Sequence, residues 1–190
     1  MRGQSLRLAK WHENAGAVGA EPAMRDWLET TGSLTARLVA SSEAFRVRRL
    51  HQKLAPCSIE EAACIALPRR GGVWEREVLL LCDGVPVVFG HTVVPMSATA
   101  SDWPLFSALG ERSLGSTLFY DPKVQRGLLE FARLRPGHRL LARVRAALGA
   151  DADATNFHAR RCVYRRHQGL LMVTEVFLPA VMNLTAAATK

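Results

Sequence analysis

Two charged side chains stand where a strand pattern leaves no room for unpaired charge. Arg76 lies within residues 73–81 (VWEREVLLL), where a period of two puts it on one face with Trp74, Val78 and Leu80. Glu175 is the sole ionisable group in residues 170–178 (LLMVTEVFL), with Val173 and Phe177 on its own face. A buried guanidinium keeps its proton, and a buried carboxylate needs a partner or a shifted pKa, so each calls for an opposite charge or a ligand. Two readings stay open. Either Arg76 and Glu175 form a salt bridge with each other, or they stand at opposite ends of one pocket. In the second case the arginine clamps a carboxylate and the glutamate accepts from a hydroxyl. A weaker feature is Ser113-Leu114-Gly115-Ser116, which opens a predicted helix whose free backbone N–H groups favour an anion.

Other chemistries lose ground by default. The sequence holds no G-x-S-x-G, no H-E-x-x-H, no phosphate loop and no dinucleotide fingerprint. His12, His51, His91, His138, His158 and His167 are scattered without metal spacing. Cys57, Cys64, Cys82 and Cys162 include no C-x-x-C pair and read as reduced thiols, neither a zinc site nor a disulfide framework. A metal-free, cofactor-free protein is expected.

The formal net charge of +8 is uneven, since residues 123–166 hold eleven Lys or Arg against Glu130, Asp151 and Asp153. Such a segment reads as a solvated face, as steering for an anionic substrate or, last, as a nucleic-acid surface. Aromatic platforms for single strands are sparse there, with only Phe131, Phe157 and Tyr164. No apolar run approaches the roughly 18 residues of a membrane span, and Trp11-His12-Glu13-Asn14 interrupts any signal-peptide core, so a cytoplasmic protein is expected.

The elements that must position Arg76 and Glu175 follow from local pattern. Asp83-Gly84 between two strand-like runs is a strong hairpin signal. A second hairpin pairs residues 159–167 with 170–179 across Gln168-Gly169. Glu21-Pro22 opens a short helix carrying Met24, Trp27 and Leu28. Ser33 caps another through Leu38, and Ser58-Ile59-Glu60-Glu61 starts a third with a capping box. Residues 44–54 alternate as a strand, and residues 68–72 form a basic turn. The spacing of Val124, Leu128, Phe131 and Ala132 predicts a helix, as does that of Leu140, Leu141, Val144 and Leu148, with a polar linker at 151–156. The fold class is α+β, a single antiparallel sheet covered by helices. Residues 1–22 read as a loose leader, 23–180 as one domain and 181–190 as a tail.

At these residues the sequence resembles the chorismate lyase (chorismate–pyruvate lyase) family. The matching pieces occur in family order from Trp27 to Pro179. They are Trp27-Leu28 with Gly32-Ser33-Leu34-Thr35, residues 74–80 with Asp83-Gly84, and Gly90-His91-Thr92-Val93-Val94-Pro95. Leu114-Gly115-x-x-Leu118-Phe119, Ala159-Arg160-Arg161 and residues 171–179 complete the set. The resemblance implies a sheet whose helical flaps enclose an internal site. It implies that Arg76 binds the ring carboxylate with help from the backbone of Leu114, that Glu175 binds the ring hydroxyl, and that Leu34 covers the ring. Some members have arginine where this chain has His91, so a group there that held the enolpyruvyl carboxylate would have a pH-dependent charge. The stretch 136–156 is longer than in compact members.

The implied reaction turns chorismate into 4-hydroxybenzoate and pyruvate for ubiquinone biosynthesis, without metal or cofactor, in a monomer that binds neither nucleic acid nor membrane. The catalytic pair would be Arg76 and Glu175. The alternative is a non-catalytic domain of the same fold that binds a small carboxylate effector. Such sensors follow a DNA-binding winged helix, for which the roughly twenty-six residues before Trp27 are too few.

Overall fold

The computed structural model describes residues 8–68, 71–149 and 157–184. Its frame is one antiparallel sheet of six strands in the order β1-β2-β3-β6-β5-β4. The strands are β1 (Phe45–Ala55), β2 (Val73–Cys82), β3 (Val85–Pro95), β4 (Val124–Leu134), β5 (Phe157–Arg166) and β6 (Gly169–Phe177). The α+β expectation holds. Arg76 sits on β2 and Glu175 on β6, with β3 between them.

The β2–β3 hairpin turns at Asp83 and Gly84, with φ of 52° and 82°. Two left-handed residues match the twist of the flanking strands, which is why Asp-Gly serves here. Asp83 also accepts from the Ala44 N–H at 2.8 Å, tying the start of β1 to the turn. The β5–β6 hairpin turns at His167 and Gln168, one residue earlier than expected, with His167 at φ 52° and Arg166 opposite Gly169.

Helices cover both faces. On one lie α1 (Pro22–Leu28), α2 (Leu34–Ala40) and α5 (Leu114–Tyr120), and on the other α3 (Ile59–Cys64) and α6 (Arg139–Leu148). A one-turn α4 (Met96–Thr99) follows β3. Val78, Leu80 and Phe177 pack with Trp27, Leu28 and Leu38, while Leu79, Phe89 and Val176 pack with Leu140, Leu141 and Val144. A fully buried side chain such as Leu28 or Leu141 contributes about 1.5–3 kcal/mol, enough for helices of two or three turns to hold by packing. Local signals fix their starts. Ser33 Oγ accepts from the Ala36 N–H, and Ser58 and Glu61 form the expected capping box.

Three expectations are corrected. Residues Val124–Leu134 form strand β4, not a helix. A register irregularity between Arg126 and Leu129 breaks the period of two, leaving Leu128 74% exposed with Phe131 and Ala132 buried, and so imitates helical spacing. Pairing with β5 along one side, and with His12 at Phe131 on the other, outweighs the local pattern.

The leader is not loose from residue 8 onward. His12 and Phe131 exchange backbone hydrogen bonds at 2.8 and 2.7 Å, and Ala15 and Val18 are buried in the 3-10 turn Ala15–Val18. At the other end, Val181 is fully buried within the 3-10 turn Pro179–Asn183, so the domain runs past residue 180. The polar linker expected at 151–156 lies outside the described residues, as do residues 1–7, 69–70 and 185–190.

The basic segment is partly internal. Arg143, Arg160, Arg161 and Arg166 are ion-paired with carboxylates of this chain. On the opposite edge of the sheet, β1 carries exposed Arg46, Arg48, Arg49 and Lys53. No described helix is long and apolar enough to cross a membrane.

Candidate active site

Arg76 and Glu175 line the same cavity, a space of about 50 Å³ between the sheet and the α2 and α5 flaps. They do not pair with each other. Arg76 Nη2 donates to the carbonyls of Gly110 and Arg112 at 3.2 and 2.9 Å, in the loop that leads into α5. Its Nε is buried without a partner among the described residues, and the residue is only 2% exposed. Burial, with the nearby charge of Arg49, pushes its pKa down to about 10, so it stays cationic at neutral pH. A buried cation held only by two carbonyls is short of an anion.

Apolar side chains make the walls. Val78 and Leu80 of β2 and Val173 of β6 form the floor, and Leu34 and Leu114 close over it from the flaps. Thr35 Oγ1 and Ser113 Oγ hydrogen-bond at 2.6 Å, joining the first turn of α2 to the cap of α5. The approach is close: a Cβ on Gly115 would stand 2.7 Å from Thr35 Oγ1, so a larger residue there would force the Thr35 side chain to move.

At the other end, Glu175 Oε2 accepts from Arg160 Nε at 2.5 Å across the β5–β6 pairing, where the two residues stand opposite each other. Arg160 also lines the cavity, is 3% exposed, and donates from Nη1 to the carbonyls of Leu28 and Thr30 at 3.1 and 2.9 Å. Tyr164 lines this end too, and burial together with the Glu175 charge pushes its phenol above the ordinary range. The cavity thus has a cationic end, an acidic end and greasy walls. In polarity its two ends match a molecule with a carboxylate at one end and a hydroxyl at the other.

Of the five residues singled out in the sequence, Arg76, Glu175, Leu34 and Leu114 meet here. His91 does not. Its neighbours Gly90 and Thr92 line the cavity, so strand alternation turns His91 to the opposite face. There it is 1% exposed, with Nε2 2.9 Å from Glu61 and Nδ1 3.1 Å from Glu77. Burial pushes its pKa down, but the hydrogen bonds and charges of Glu61 and Glu77 outweigh this and lift it to about 9. It stands there as an imidazolium between two carboxylates.

A larger cleft of about 860 Å³ opens on that face, and the buried charges that line it are matched within the chain, while Lys10 and Arg139 stand exposed at it. Arg161 pairs with Glu60 and Glu130, and Arg143 with Glu75 and Glu77. His51, Glu75 and Glu77 bring three ligand atoms within 4.8 Å of one another. Arg143 Nη1 lies 2.6 Å from Glu75 and contacts Glu77 as well, so it supplies the charge a metal ion would bring. The smaller cavity, with its unanswered cation, is the candidate active site.

Arg160, Glu75 and Glu77 are the functional and structural charges that the sequence analysis did not single out. Arg160 had one available signal. With the β5–β6 turn at His167-Gln168 it falls opposite Glu175, whereas a turn one residue later sets Cys162 there instead.

Comparison with known proteins completes the picture. The chorismate lyase family model matches residues 5–186. A protein of Cupriavidus pinatubonensis named "Probable chorismate pyruvate-lyase" is 47% identical over 162 residues, covering 85% of this chain and 84% of that protein. One of the same name from Cupriavidus metallidurans is 43% identical over 184 residues, covering 96% and 86%. Among solved structures, PhnF from Mycobacterium smegmatis superposes with a TM-score of 0.58 at 20% identity, over 85% of this chain and 70% of that one. A GntR-family transcriptional regulator from Bacillus cereus gives 0.55 at 11% identity, over 76% and 99%. At such identities the two structures are evidence of a common fold alone.

Proposed function

This chain belongs to the chorismate lyase family, and we propose that it removes pyruvate from chorismate to leave 4-hydroxybenzoate, in the cytoplasm and for ubiquinone biosynthesis. In this reaction the ether bond between the ring and the enolpyruvyl oxygen breaks and the ring gives up one hydrogen. The departing fragment gains that hydrogen and becomes pyruvate. Atoms balance without any oxidant or reductant, and aromatisation drives the change. The protein's work is then to hold the ring and stabilise charge as it moves toward the leaving oxygen.

The observation that carries the reading is Arg76, a fully buried guanidinium with an unpartnered Nε and no carboxylate beside it among the described residues. In our reading it anchors the ring carboxylate, with the backbone of Leu114 beside it. Glu175 accepts from the ring hydroxyl, and Leu34 covers the ring. Incubating the purified protein with chorismate, then resolving products by chromatography, tests it. Equimolar 4-hydroxybenzoate and pyruvate above the spontaneous background are expected. Tight 4-hydroxybenzoate binding without turnover would instead identify a sensor built on the same cavity, and neither binding nor turnover would overturn both.

A further inference from the structure

We propose that Arg160 is a positioning residue for hydroxyl recognition: clamped by the Leu28 and Thr30 carbonyls, its guanidinium fixes the Glu175 carboxylate that receives the ligand hydroxyl. The proposal rests on the reading of the cavity as a hydroxybenzoate site. Three observations carry it. Arg160 is 3% exposed inside the cavity wall, so its placement is set by the fold. Its three hydrogen bonds divide by direction, Nη1 going to the two carbonyls and Nε to Glu175 Oε2. Those carbonyls end α1 and begin the turn into α2, whose Leu34 covers the site.

The chain of constraint runs from backbone to guanidinium to carboxylate. A planar guanidinium held at one nitrogen by two acceptors has its Nε direction fixed. Glu175 then has one oxygen committed at 2.5 Å, and the other is left to accept from the ligand. Without the arginine, a glutamate side chain with three rotatable bonds would sample several rotamers, and the hydroxyl would meet a disordered acceptor. Lysine keeps the charge and loses the fork, since one ammonium cannot reproduce the two-sided geometry.

The test is a comparison of ligands. In the unaltered protein, affinities for 4-hydroxybenzoate and benzoate, which share the carboxylate, are measured by calorimetry, and their ratio reports hydroxyl recognition. Arg160→Lys is expected to lower that ratio at least tenfold while benzoate affinity changes less than threefold. In a Glu175→Gln background the same change is expected to leave the ratio unaltered. Equal losses for both ligands would mean a merely structural arginine and overturn the proposal, as would an unchanged ratio.

Should Arg160→Lys fail to fold, the Arg160 side-chain N–H signal in nitrogen-15 spectra of the unaltered protein decides. It is expected to shift on adding 4-hydroxybenzoate and to stay still with benzoate; a signal that answers both ligands alike overturns the proposal. If the unaltered protein binds neither ligand, the hydroxybenzoate reading itself has failed, which is a separate outcome.

Discussion

Arg76 and Glu175 share one cavity and leave each other alone: the arginine holds two loop carbonyls, and the glutamate holds Arg160. A salt bridge between them would have closed the site on itself. Because each charge is held by something else, the space between them stays available, with a cation at one end and an acceptor at the other.

Replacing the cation should therefore cost binding before it costs folding. Arg76→Met is expected to raise the dissociation constant for 4-hydroxybenzoate roughly 10- to 100-fold, the loss of charge-assisted hydrogen bonds of about 1.5–3 kcal/mol. The circular dichroism spectrum should not change. Calorimetry alongside a thermal melt separates the two effects.

A Thr35–Ser113 hydroxyl pair joins the flaps. Thr35→Val keeps the shape and removes one of the two hydroxyls. A net hydrogen bond of about 0.5–1.5 kcal/mol corresponds to roughly a 2- to 10-fold faster release of bound 4-hydroxybenzoate. Stopped-flow displacement of bound product would measure it, and an unchanged rate would show that the flaps part elsewhere.

The ion cluster behind the site should govern stability. Arg143→Met leaves Glu75 and Glu77, 3% and 4% exposed, without their main cation, and is expected to cost about 3–5 kcal/mol in urea unfolding. Adding Glu75→Gln to that variant should restore part of the loss, because it removes one of the two buried charges that Arg143 had paired.

His91 makes this cluster depend on pH. Its pKa in the folded chain is raised to about 9, so its contribution is complete below the ordinary histidine value near 6.5 and fades as pH rises through 9. Burial pushes the Glu61 carboxyl up, but the His91 and Ser58 interactions outweigh it and hold it near 2. That contribution is complete above about 4.5 and fades as pH falls toward 2. His91→Gln is expected to flatten the melting temperature between pH 6.5 and 9 without altering 4-hydroxybenzoate affinity at pH 6.

What the sequence made legible was charge in the wrong place. Arg76 and Glu175 announced themselves because their neighbours on the same face are apolar, and Asp83-Gly84 placed the hairpin that carries one of them. Glu75 and Glu77 gave no such signal. Alternation assigns them to the face away from Arg76, which a sheet with one wet side would leave in water, and here α3 and α6 cover it. His91 was misplaced because the family resemblance named a position without naming a face. Strand β4 was hidden by its bulge, a feature that pairing geometry decides and single-residue spacing does not.

One consequence of the fold concerns what the molecule avoids. His12 bridges to Phe131 on the outer side of β4, whereas among the described residues no strand pairs with the outer side of β1. Arg46, Arg48, Arg49 and Lys53 stand out from it. A second copy zipping onto that margin in antiparallel fashion would bring rows of cations face to face, so the open backbone is a poor template for fibrils or chains of molecules. Charge of one sign thus guards the margin where a sheet most easily grows.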